Sequence, residues 1–89
     1  MRTAVYPGSF DPITLGHLNI IERAVDMFDS LVILLAINPG KQSLFSAEEN
    51  TEMIREVTSA WPQVKIDQTH GLLVDYARKN DIHLAVRGL

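Results

Sequence analysis

The stretch Gly8-Ser9-Phe10-Asp11-Pro12-Ile13-Thr14-Leu15-Gly16-His17 gathers two glycines, two hydroxyls and an imidazole around the expected start of a helix. Thr14 and His17 are three apart, so on a helix their side chains share one face. Beside that face lie the amides of the first turn, which have no acceptor within the helix. Such amides, with a hydroxyl and an imidazole at the positive end of the helix dipole, form a site for phosphate. Gly8 fits a tight turn off a strand and close approach of a ligand. Gly16 keeps the first turn open for a bulky anion. Ser9 and Thr14 also fit as turn and cap residues, a structural role that is compatible with binding. Asp11-Pro12 reads as a structural turn and not as a catalytic acid.

The elements that must hold these groups alternate along the chain. Thr3-Ala4-Val5-Tyr6 is β-prone and is expected to stop at Pro7-Gly8. From Leu15 to Phe28, Leu18, Ile21, Val25 and Phe28 recur at helical spacing. Leu31 to Ile37 is apolar without alternation, as expected of a strand covered on both faces in a parallel sheet. Ser46-Ala47-Glu48-Glu49 is a capping box that opens a helix from Ala47 to about Ala60, with Met53, Ile54 and Val57 expected inward. Val64 to Asp67 reads as a third strand. Leu72 to Lys79 reads as a third helix with Leu72, Leu73, Tyr76 and Ala77 as the inward candidates, and Ile82 to Val86 as a fourth strand. This β-α-β-α-β-α-β order predicts an α/β, Rossmann-like parallel sheet. With strand order 3-2-1-4, the reversal lies between the first and fourth strands. Ligands of such sheets sit outside the carboxyl ends of the strands at that reversal. His17 and Arg87 are then expected to face one crevice.

Composition narrows the function classes. The chain has 89 residues, 46% apolar and 21% charged, which is too apolar for a disordered segment. It reads as one small domain over residues 1–89. Without cysteine there are no disulfides, thiolate metal sites or cysteine nucleophiles. A net charge of -3 and a pI near 5.4 argue against a general nucleic-acid binder. No apolar run approaches the roughly 20 residues needed to span a bilayer. Pro7-Gly8 arrives before a signal-peptide apolar region can develop. A soluble, cytoplasmic protein is the expectation. An anion ligand would be held by local positive charge against an acidic average field.

The motif resembles the signature G-[ST]-F-D-P-x-[TH]-x-G-H of a nucleotidyltransferase superfamily, and within it the bacterial phosphopantetheine adenylyltransferases. Thr14 favours that assignment, since nicotinate and nicotinamide mononucleotide adenylyltransferases usually carry His there. Tyr6-Pro7-Gly8, Asn38-Pro39-Gly40-Lys41, Phe45-Ser46-x-x-Glu49, Gly71 to Ala77 and Val86-Arg87-Gly88-Leu89 extend the likeness over the whole sequence. The resemblance implies transfer of AMP from ATP to 4'-phosphopantetheine, giving dephospho-coenzyme A and pyrophosphate. It implies that His17 stabilises the transition state and that Ser9 contacts acceptor and ATP. The Phe10 backbone, Thr14, His17, Gly88 and Leu89 are expected at ATP. Lys41 and Arg87 are expected at the acceptor's phosphate and Leu73 at its pantetheine arm. Mg²⁺ is expected to travel with the triphosphate, with no protein metal cage. The family usually assembles as homo-hexamers. Its fold continues past Arg-Gly-Leu, so this sequence is expected to be the N-terminal portion, truncated after the fourth strand, with an incomplete ATP site.

Two other readings stand beside this one. The chain is another nucleotidyltransferase of the superfamily, acting on nicotinamide mononucleotide or a polyol phosphate, against which Thr14 and Leu72-Leu73 count. Alternatively, it is a non-catalytic phosphate- or nucleotide-binding half-domain. Single residues also have plain explanations: Lys41 as a solvated loop charge, Arg87 as a cation snorkelling from a terminal strand, Leu73 as core. His70 and His83 have no ligand spacing to a partner. Glu48, Glu49, Glu52 and Glu56 read as a solvated helix face, and Trp61 as a packing residue.

Overall fold

The computed structural model describes residues 2–38, 40 and 42–87. It contains β1 (Thr3–Gly8), α1 (Leu15–Met27), β2 (Ser30–Ala36), α2 (Ala47–Val57), β3 (Val64–Thr69), α3 (Leu73–Lys79) and β4 (Leu84–Ala85). The four strands form one parallel sheet in the order β3-β2-β1-β4. The expected α/β, Rossmann-like architecture and its strand order are therefore present.

The two faces of the sheet divide the core. Ala4, Tyr6, Leu31, Ile33 and Leu35 pack with Ile21, Ala24 and Val25 of α1 and Ile54 of α2. The alternate residues Val5, Val32 and Leu34 pack with Ile82, Tyr76 and Ala77 on the opposite side. Right-handed crossovers explain the division. The chain steps β1 to β2 to β3 in one direction, which puts α1 and α2 on one face. It then returns past β1 to β4, which puts α3 on the other. Residues Leu31 to Leu35 are buried without alternation because β2 is covered on both sides.

Several boundaries differ from expectation, each for a local reason. β1 runs on through Pro7 and Gly8, which pair with Leu34 and Leu35. Val5 accepts from the Val86 amide on the β4 side. Pro7, two residues on, turns its nitrogen to that same side, where pairing with β4 extends only over Ala4 and Val5. The missing N–H thus falls where the ladder does not need it. The fourth strand is only Leu84–Ala85, because the Ile82 amide is used on the Ala77 carbonyl at the end of α3. Asp81, at φ 56, makes that turn.

Helix α2 ends at Val57 rather than near Ala60. The Thr58 amide and hydroxyl both donate to the Ile54 carbonyl, at 3.0 and 2.7 Å. Its buried stripe is Asn50, Ile54 and Thr58; Met53 is half-buried and Val57 is 42% exposed. Around α3, Tyr76 and Ala77 meet the sheet as expected, whereas Leu72 and Leu73, also expected inward, stay at the surface with Val74. β3 extends two residues further than expected, to Thr69.

Candidate functional site

The loop from β1 to α1 is built around Phe10. Its backbone takes φ 44, in the left-handed region, and its side chain is buried. The ring stands edge-on to Tyr6 at 5.2 Å and lies 4.9 Å from the His17 ring. A Cβ on Gly8 would come within 3.1 Å of the Phe10 ring. Gly8 is therefore set by close approach of this aromatic side chain, not by a turn, since no described glycine has positive φ.

Thr14 is the N-cap of α1. Its Oγ1 accepts from the His17 amide at 3.3 Å, and its own amide donates to His17 Nδ1 at 2.9 Å. The result is a capping box with an imidazole in place of the usual Glu or Gln. An Nδ1 that accepts from an amide carries no proton, so the neutral ring holds its proton on Nε2. Burial lowers the pKa of His17 from its ordinary 6.5, in favour of this neutral form. His17 therefore carries an N–H donor at the start of α1.

Asp11 ties this loop to the next. Its carboxylate accepts from the Leu44 and Phe45 amides at 2.7 and 2.9 Å and from Asn50 Nδ2 at 3.1 Å. The expectation of a structural role is met, but through partners more than thirty residues away. Sequence reading did not single out Asn50. The available signal was an Asn at the fourth position of a capped helix, one turn before Ile54 on the same stripe.

Two depressions flank the β1–α1 loop. A small cavity of about 100 Å³ lies at the carboxyl ends of β1 and β2, lined by Ser9, Asp11, Asn38, Ser43 and Asn50 among others. A larger groove of about 470 Å³ runs between α1 and β4. Gly16, Asn19, Ile20, Arg23, Val86 and Arg87 line it, so Arg87 shares a groove with the first turn of α1. His17 is not among its lining residues; its ring rests on Phe10. A Cβ at Gly16 would meet only Thr14 Oγ1, at 3.6 Å, so the space above this turn is open.

Among the predicted site residues, Ser9, Phe10, Thr14 and His17 come together on one loop and helix start, whereas Arg87 lines the groove beside Gly16, a groove that none of those four lines. Leu73 opens α3 at the surface and lines neither depression. Lys41, Gly88 and Leu89 lie outside the described residues. The described residues include no cluster of three or more His, Asp or Glu suited to a metal ion. No helix among them is long and apolar enough to cross a membrane.

The family model described as cytidylyltransferase-like matches residues 5–89. The chain is 47% identical over 89 residues to a phosphopantetheine adenylyltransferase from Caldanaerobacter subterraneus subsp. tengcongensis, covering all of this chain and 56% of that protein. It is 51% identical over 89 residues to one from Carboxydothermus hydrogenoformans, covering all of this chain and 55% of the relative. It is 52% identical over 88 residues to one from Syntrophus aciditrophicus, covering 99% of this chain and 53% of the relative. The chain thus spans about half the length of the curated relatives it matches.

Proposed function

From the premise that this chain belongs to the cytidylyltransferase-like family, we propose that it forms the acceptor- and phosphate-binding part of a phosphopantetheine adenylyltransferase. The reaction is reversible transfer of AMP from ATP to 4'-phosphopantetheine, giving dephospho-coenzyme A and pyrophosphate. An acceptor oxygen of the 4'-phosphate bonds to the α-phosphorus, and the bond from that phosphorus to the pyrophosphate oxygen breaks. The acceptor is already an anion near neutral pH, so no base has to remove a proton. The work left to the protein is to hold two repelling anions in line and to stabilise the charge spread over the transferring group.

The observation that carries this reading is the bond from the Thr14 amide to His17 Nδ1. It leaves Nε2–H as a fixed donor at the start of α1, where developing negative charge also meets the first-turn amides. A neutral donor suits a step in which no proton moves. In this reading Ser9 contacts acceptor and ATP, and the Phe10 backbone and Thr14 border ATP. Arg87 and Lys41 hold the acceptor's phosphate, Leu73 its arm, and Gly88 and Leu89 begin a further ATP-binding segment. Mg²⁺ enters with ATP as part of the substrate. The reading carries with it a cytoplasmic location and assembly into a homo-oligomer.

Calorimetric titration of the chain with 4'-phosphopantetheine and with nicotinamide mononucleotide tests the acceptor. Binding of the first and not the second is expected; equal affinity would sink the assignment. In a protein extended to the length of the relatives, pyrophosphate release from ATP should require 4'-phosphopantetheine.

A further inference from the structure

Three rings meet at the start of α1, each against the other two. Phe10 lies 4.9 Å from His17 and 5.2 Å from Tyr6, and Tyr6 lies 6.3 Å from His17 at an interplanar angle of 63°. Tyr6 anchors the group: it is 4% exposed and belongs to the same core cluster as Ile21 and Ala24 of α1. His17 stands one turn before the buried Ile21 on the same stripe of α1, which brings the imidazole over β1. The bond from the Thr14 amide holds the imidazole at one point, Nδ1. A ring held at one point can tilt about it. Contacts with two further rings, one edge-on and one tilted, fix its plane and with it the direction of Nε2–H. Hydrogen bonds weaken steeply as the donor turns off line, so that direction decides what the donor is worth.

We propose that Tyr6 is a positioning residue for His17, its buried ring holding the imidazole so that Nε2–H points at the group in transfer. The inference rests on the reading of His17 as the donor to that group. Tyr6 touches no substrate and acts through the imidazole alone. Its ring makes the contact, which separates two substitutions. Tyr6→Phe keeps the ring, whereas Tyr6→Met fills much of the space with a flexible, non-aromatic side chain.

Nitrogen NMR of the chain reads the positioning directly. Wild type and Tyr6→Phe should both show His17 with Nδ1 unprotonated and Nε2 protonated. In Tyr6→Met the imidazole tilts off the Thr14 amide, the tautomers mix, and the two nitrogen signals should move toward one another. A single tautomer in Tyr6→Met, as in wild type, would overturn the inference and leave the donor role of His17 intact. In a protein extended to the length of the relatives, Tyr6→Met should lower kcat about tenfold with KM for 4'-phosphopantetheine unchanged, and Tyr6→Phe should keep the wild-type value. Mixed tautomers with an unchanged kcat would overturn the donor role of His17 and the inference built on it. Should Tyr6→Met fail to fold, as judged by circular dichroism, Tyr6→Ile, whose branched side chain suits a strand, takes its place with the same expected results.

Discussion

The amide of Thr14 and the Nδ1 of His17 are 2.9 Å apart, and this one bond fixes both the cap of α1 and the tautomer of the imidazole. The backbone that starts the helix thereby selects which ring nitrogen presents a proton to the site. Nitrogen NMR should show His17 with Nδ1 unprotonated and Nε2 protonated. The ring should titrate below its ordinary 6.5, because burial opposes the charged form. An unfolded chain then takes up this proton at higher pH than the folded one. Above 6.5 the stabilisation is fully present, and it is lost as pH falls from 6.5 to the native value. A titration midpoint above 6.5 would contradict the assignment.

Gly8 and Gly16 should respond oppositely to alanine. Gly8→Ala brings a Cβ to 3.1 Å of the buried Phe10 ring and should cost about 1–3 kcal/mol in urea denaturation. Gly16→Ala meets only Thr14 Oγ1 at 3.6 Å, and helix propensity should leave the fold unchanged or up to about 1 kcal/mol more stable. The same Gly16 variant should bind ATP more weakly, since its methyl group projects over the proposed phosphate position. A variant that is both stable and unimpaired in binding would move the phosphate elsewhere.

Asp11→Ala should destabilise the chain by about 3 kcal/mol, because it strips the acceptor from two amides and from Asn50. Hydrogen exchange should locate the damage at the Leu44 and Phe45 amides, while α3 keeps its protection. Uniform loss of protection would mean that the carboxylate supports more than the junction of these two loops.

Both tyrosines should resist ionisation. Burial raises the Tyr6 phenol above its ordinary 10.0. Tyr76 is raised further by burial and by its bond to Asp67 Oδ2 at 2.6 Å. In an unfolded chain both release protons nearer 10, so stability should fall as pH rises through that value. Absorbance at alkaline pH should then show tyrosinate appearing together with unfolding. A tyrosinate step at 10 in a folded chain would show one of the phenols to be free.

What the amino-acid order reveals depends on the range of the interaction. The unbroken apolar run of β2 and the three-residue spacing of Thr14 and His17 are local signals, and both led to correct placement. The direction of the Thr14–His17 bond is not in the spacing, because either ring nitrogen fits it. Asp11 joins residues 33 to 39 positions away, which no local pattern encodes. On α2, hydrophobicity favoured Val57 as an inward residue. The helix instead buries Thr58, whose hydroxyl is satisfied by the Ile54 carbonyl, and Asn50, whose nitrogen is satisfied by Asp11. Polar side chains with partners in the fold look like surface residues in the sequence. The crevice expected to unite His17 and Arg87 does not do so: Arg87 shares its groove with Gly16, and the imidazole settles on Phe10.

The Phe10 ring occupies the space that a Cβ on Gly8 would need, so the two positions are not free to vary separately. A larger residue at position 8 is admissible only with a smaller ring or none at position 10. Removing the ring alone opens a void beneath His17. Their combined substitution should therefore deviate from the sum of the single effects. In evolutionary terms the pair is an epistatic lock: each residue closes the mutational route that the other would otherwise take, and the imidazole above inherits its fixed position from both.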